Sequence, residues 1–138
     1  MKSQILIQAV ALVAATVVPR MAMAESAPGD PIALAFHEPI PNVPGKSIVA
    51  VVVSYPPGGK TPSHRHAPSA FVTGYVLSGA IRSQVDGGKV EVFKAGDSWS
   101  EKPGAHHDIS ENASSTEPAK LLAIFVVDTK DTNLTVVE

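Results

Sequence analysis

Apolar residues along this chain come in short runs rather than in helical stripes. From Ser47 to Tyr55 the run SIVAVVVSY is β-branched and short, which predicts a well-buried strand. KLLAIFVV, from Lys120 to Val127, predicts a long buried one, and Phe71 to Leu77 is a further extended run closed by Ser78-Gly79. Ala80 to Asp86 and Lys89 to Phe93 are joined by Asp86-Gly87-Gly88, which predicts a hairpin. In its second strand Val90 and Val92 alternate with Lys89 and Glu91, so the valine face is expected to be buried and the other wet. Ser98 to Glu101 is a short strand between turns at Ala95-Gly96-Asp97 and Lys102-Pro103-Gly104, Asn112 to Pro118 is a polar loop, and Asn133 to Val137 is a last strand. About eight strands separated by Gly/Pro turns predict an all-β sandwich or small barrel.

The first residues follow another logic. Lys2, an apolar stretch from Ile5 to Val18, then Pro19, Arg20 and Ala22-Met23-Ala24 predict a secretory signal peptide over residues 1–24, cleaved after Ala24. The apolar stretch is short of the roughly 18 residues a membrane span needs, so no stable membrane insertion is expected after cleavage. The short leader ahead of a compact domain is bacterial in style, and the mature chain is expected in the periplasm or secreted. Residues 25–46 hold Pro28, Pro31, Pro39, Pro41 and Pro44, too many for a helix or a central strand, and are expected to form an extended arm. The barrel domain is then residues 47–138.

Composition narrows the function. A chain of 138 residues with 44% hydrophobic and 17% charged residues is one globular domain. Loss of Lys2 and Arg20 with the leader takes the net charge from -2 to -4. With no Lys/Arg cluster to displace counterions, a nucleic-acid partner is excluded. The chain has no cysteine, so neither disulfides nor a thiol nucleophile can contribute.

His64 and His66 are the densest chemistry in the sequence. In an extended segment, side chains two apart leave the same face, so both imidazoles converge on one point. Such a pair begins a site for a divalent transition metal: iron, zinc, nickel, manganese or copper.

These residues belong to a larger pattern. Gly58, five residues, His64-Arg65-His66 and then Gly79 resemble the first motif of the cupin superfamily, while Gly96, Pro103-Gly104, His107 and Asn112 resemble the second. The resemblance covers almost all of residues 47–127. It implies a double-stranded β-helix, a jelly-roll barrel in single copy (a monocupin), with His64, His66 and His107 as metal ligands. His106 must point to the opposite face from His107 in a strand, and is the alternative third ligand. The family's carboxylate ligand lies seven residues before the glycine that closes the first motif, here Val72, with Ala70 or Phe71 at the alternative spacings. No Asp or Glu occurs from Ala67 to Val85, so that ligand is missing. Lys102 stands where the second motif often has proline.

Two functions fit. One is an exported mononuclear metalloenzyme, dioxygenase-like or lyase-like, acting on a small organic acid or enol. The other is a non-catalytic module that binds a small molecule or metal as a sensor or carrier. Glu101 and Asp97 flank the second motif and are the candidates for a general acid or base. Asp108 is either a partner orienting an imidazole or a solvated loop charge. Gln84 is either a weak oxygen ligand or part of a wet strand face. Phe71, Tyr75 and Trp99 line the barrel mouth or sit in the core, and His37, in the proline-rich segment, is not a ligand. The arm and the Lys120 to Val127 strand suggest a homodimer formed through sheet edges.

Overall fold

The computed structural model describes residues 31–138. The expected signal peptide and the start of the proline-rich segment lie outside the described residues. Within them the chain forms β1 (Ile32–Pro39), β2 (Lys46–Tyr55), β3 (Lys60–Thr61), β4 (His64–His66), β5 (Phe71–Ser78) and β6 (Ala80–Val85). It continues through β7 (Glu91–Lys94), β8 (Ser98–Glu101), β9 (His106–Asn112), β10 (Ala119–Asp128) and β11 (Thr135–Val137). Five strands form one sheet in the order β1-β2-β10-β5-β8; the others form a second in the order β11-β4-β9-β6-β7, with β3 beside β9. Every pairing is antiparallel. The fold is a single jelly-roll barrel, as the motif pattern implied.

The two long apolar runs sit at the centre of the five-stranded sheet. β2 and β10 pair over their full lengths, from Ala119 opposite Tyr55 to Asp128 opposite Lys46. Their inward residues, with Val72 and Val76 of β5 and Ile81 of β6, close the core between the sheets. Ile81 and Val76 are fully buried.

Two expectations need correction. Part of the proline-rich segment is not an arm outside the barrel: residues 32–39 pair with β2 as the edge strand of its sheet. The prolines permit this because Pro31 and Pro39 stand at the strand's limits and an edge strand has one side with no ladder to complete. In the hairpin after β6, Val90 and Val92 are exposed, and Phe93 is the half-buried residue, packed beside Trp99. Alternation was right in period and wrong in phase, because an aromatic ring offers more area to bury than a valine. The turn itself has Asp86 and Gly87 both at positive φ, the backbone of a type I′ hairpin.

β8 is held by one large contact. Trp99 lies opposite Gly74 of β5, and a Cβ on Gly74 would come within 2.6 Å of the indole. The indole stacks on Phe93 with centroids 4.6 Å apart. Gly74→Ala is therefore expected to displace the indole and to cost about 1–3 kcal/mol in urea denaturation. A loss under about 0.5 kcal/mol, the scale of a neutral surface change, would mean that the indole moves freely.

Candidate metal centre

The register of the second sheet brings three imidazoles together. On β4, His64 and His66 share a face, and across to β9 the partners are His64 with His107 and Arg65 with His106. Cross-strand partners share a face. His107 therefore joins His64 and His66, while His106 leaves with the exposed Arg65. One ligand atom of each of His64, His66 and His107 lies within 4.8 Å of the others. His66 and His107 are buried and His64 is half-buried.

A bulge in β9 decides which histidine turns inward. Against β6, Gln84 pairs with Ile109 and Val85 with His107, which leaves Asp108 as the extra residue. Ser110 and Asn112 are buried, and strict alternation back from them would have turned His106 inward. The extra residue shifts the phase by one and turns His107 in instead. His106 bonds outside, 2.9 Å from Asp108 Oδ1 and 2.8 Å from Ser63 Oγ.

Hydrogen bonds outside the cluster hold the rings. His64 Nδ1 lies 2.8 Å from the Pro62 carbonyl, which can only accept, so Nδ1 carries the proton and Nε2 keeps its lone pair. His107 Nε2 is 2.9 Å from Ser83 Oγ. When that nitrogen donates to the serine, Nδ1 is left bare on the side of Glu101. Outer partners of this kind fix ring tautomers in metal sites.

Glu101 completes the cluster. Its side chain is 2% exposed, with Oε2 2.8 Å from His66 Nε2 and Oε1 3.4 Å from His107 Nδ1. Trp99 Nε1–H donates to Oε1 at 2.9 Å. The close His66–Glu101 pair is misaligned for a hydrogen bond: His66 Nδ1, His66 Nε2 and Glu101 Oε2 are all buried without a hydrogen-bond partner. Burying such groups unpaired is costly. Three imidazoles converging on one point, with both nitrogens of His66 and one oxygen of Glu101 orphaned among them, are a donor set that fits a divalent transition metal.

Charge in the site is set by burial and by these neighbours. Burial opposes ionisation of Glu101, but the imidazoles of His66 and His107 and the Trp99 N–H outweigh it and hold the carboxyl below its usual range. Burial pushes His107 down to about 4, against the pull of the Glu101 carboxylate. Burial likewise lowers His64, against its bond to the Pro62 carbonyl. Near neutral pH His64 and His107 stand as neutral rings near a carboxylate, the form in which imidazole binds a metal.

The cluster faces a cavity of about 210 Å³. Its walls include Val51, Val53, Leu121 and Ala123, and its polar groups include Tyr55 and Ser110, whose hydroxyls are 2.8 Å apart.

The remaining candidates lie elsewhere. Asp97 accepts the Lys94 N–H in its turn, Asp108 accepts the Gly87 N–H and faces His106, and Gln84 donates to the Gly88 carbonyl. Phe71 and Tyr75 are exposed, on the opposite face of β5 from buried Val72 and Val76, whereas Trp99 lines the cavity. His37 pairs with Val49 at the sheet edge. Ser83, Tyr55 and Ser110 were not anticipated. For Glu101 the usable signal is the alternation of Ser-Trp-Ser-Glu in β8, which puts Trp99 and Glu101 on one face and the serines on the other.

The family model of the cupin domain matches residues 51–125, more than half of the chain. The chain belongs to the cupin family. Among solved structures, this cupin is similar to an uncharacterized conserved protein with a double-stranded β-helix domain from Klebsiella pneumoniae. They are 26% identical, with TM-score 0.58, over 76% of this chain and 84% of that one. It is also similar to a predicted oxalate decarboxylase from Thermotoga maritima: 23% identity, TM-score 0.50, over 66% and 91% of the two chains. The DMSP lyase DddQ from Ruegeria pomeroyi matches at 20% identity and TM-score 0.53, over 65% of this chain and 42% of that one. The last two likenesses are of fold. No curated protein matches this cupin.

The depressed His107 makes the metal-free protein sensitive to acid. Folded His107 takes a proton only near 4, whereas in the unfolded chain it does so near 6.5, so acid favours unfolding. This stabilisation is whole above pH 6.5 and is lost progressively down to about pH 4, amounting to about 3 kcal/mol. Glu101, lowered from 4.5, adds a loss of the same sign below that pH. Urea denaturation of chelator-treated protein from pH 7.5 to 4.5 should show the decline, and His107→Gln should flatten it. Equal stability at pH 7 and 5 would mean that the buried ring titrates like a free one.

Proposed function

We propose that this cupin is an exported, mononuclear metalloenzyme that acts on a small organic acid or enol by dioxygenase-like or lyase-like chemistry. The observation that carries the reading is the meeting of His64, His66 and His107 within 4.8 Å, beside a mostly aliphatic cavity. A divalent transition metal held by those three residues would supply an electrophilic centre for the oxygen atoms of an acid or enolate.

The chain's own residues do the rest. The aliphatic walls exclude water and strengthen every polar contact within. Tyr55 and Ser110 offer hydroxyls to the polar end of a ligand. At about 210 Å³ the cavity is below the usual range for drug-sized ligands, which favours a compact acid or enol. The likeness to the lyase and to the predicted decarboxylase is one of fold, so the substrate class rests on the cavity alone.

The assembly we propose is a homodimer, in which a second copy covers the outer face of the five-stranded sheet. Phe36, Phe71, Tyr75 and Leu77 are each at least 40% exposed. On that face they flank the half-buried Leu122, Ile124 and Val126 of β10. A twofold axis would match this face to itself.

One preparation tests all three parts. The full chain is expressed with its leader, recovered from the periplasm without chelator and examined by native mass spectrometry. The expected species begins at Glu25, contains two chains and holds one metal ion per chain. In His64→Ala/His66→Ala the metal should vanish. Iron in the wild type points to oxygen chemistry, and zinc to lyase chemistry. No metal in the wild type, even after reconstitution, would overturn the metalloenzyme and leave a small-molecule-binding jelly roll.

A further inference from the structure

We propose that Glu101 supplies the anionic metal ligand that the first-motif strand lacks, reaching the same point from the neighbouring strand. This rests on the metal reading above and deepens it. The motif resemblance puts the family's carboxylate at Val72, on β5. Across the ladder, the partner of Val72 is Glu101 of β8. Both are 2% exposed and share a face, so their Cβ atoms are separated by only about 5 Å. A carboxylate carried at 101 can reach the space that one carried at 72 would fill.

The atoms in that space favour coordination over a simple hydrogen bond. Glu101 Oε1 is engaged by the Trp99 N–H, which fixes the carboxylate plane and leaves Oε2 against His66 Nε2 at 2.8 Å. Neither atom has an aligned hydrogen-bond partner, and both are buried. A shared proton would have to lie between them on a nearly straight path. A cation to one side accepts both lone pairs at once and needs no such alignment.

The consequence is electrostatic. Three neutral imidazoles would leave a divalent ion with its full charge of +2, and Glu101 lowers the net charge of the centre to +1. It also takes up one of the positions otherwise open to ligand.

Cobalt(II) is a suitable probe, titrated into the chelator-treated mature protein and read by affinity and by its visible d–d absorption. Glu101→Gln keeps an oxygen to accept from Trp99 and removes the charge. It should weaken cobalt binding by about 100-fold, the upper end of what loss of a merely orienting partner produces, and should shift the visible bands. Val72→Glu in the Glu101→Gln background returns the carboxylate to the family's position and should recover at least tenfold. Should that double variant misfold, the bands of Glu101→Gln decide alone. Unchanged affinity in Glu101→Gln, or weaker binding with unchanged bands, would overturn the proposal, the second result reducing Glu101 to positioning the imidazoles. Wild-type protein that takes up no cobalt would instead remove the metal site itself.

Discussion

The structure turns on a carboxylate kept in the barrel with almost no access to water. Glu101 is ionised more readily than an ordinary glutamate although its burial works against it. Its neighbours must therefore supply the compensation, and they are drawn from three strands: His66 from β4, His107 from β9 and Trp99 from β8 itself. The compensation is incomplete, since one carboxylate oxygen and both nitrogens of His66 lack hydrogen bonds. In a purely structural core this arrangement would be a fault. Around a proposed cation it becomes a set of converging donors.

Register is what brings these groups together. Three cross-strand pairs do most of the work: His64 with His107, Val72 with Glu101, and Gly74 with Trp99. Each puts two residues remote in sequence side by side on one face. The bulge at Asp108 then adjusts the phase of β9 so that His107, rather than His106, joins His64 and His66. Gly74 makes room for the indole that orients the carboxylate. A side chain there would act on the site from a distance, through Trp99.

The sequence made the scaffold legible where local patterns carry the information. The β-branched runs of β2 and β10, the Asp86-Gly87 hairpin and the His-x-His spacing each follow from period, length or turn chemistry. The two motifs together implied the jelly roll. The motif spacing favoured His107 over His106, but strand alternation alone did not decide between them, because a bulge is a property of two strands together and leaves no mark on one. Glu101 was visible only as a nearby acid. Its place beside the imidazoles depends on which strand β8 pairs with and in what register. Val90 and Val92 misled because alternation gives a period without saying which face a neighbouring aromatic will claim. The edge strand β1 was hidden by its prolines, which mark its limits rather than its exclusion from the sheet.

Moving the carboxylate from β5 to β8 also changes how firmly it is held. β5 lies between β10 and β8, with a ladder on each side, whereas β8 is the last strand of its sheet and only four residues long. An edge strand of that length gains little from its own hydrogen bonds, so its position depends on Trp99 packing between Phe93 and Gly74. Ligand and strand are thereby coupled. Whatever fixes Glu101 on an ion also fixes the indole and closes the sheet edge, and binding to the folded state alone stabilises that state by mass action. A carboxylate on β5 would be held by a ladder on each side, whereas one on β8 is held by a single ladder and by the Trp99 N–H. The proposed centre should therefore trade some affinity for the capacity to let its fourth ligand yield when a substrate enters.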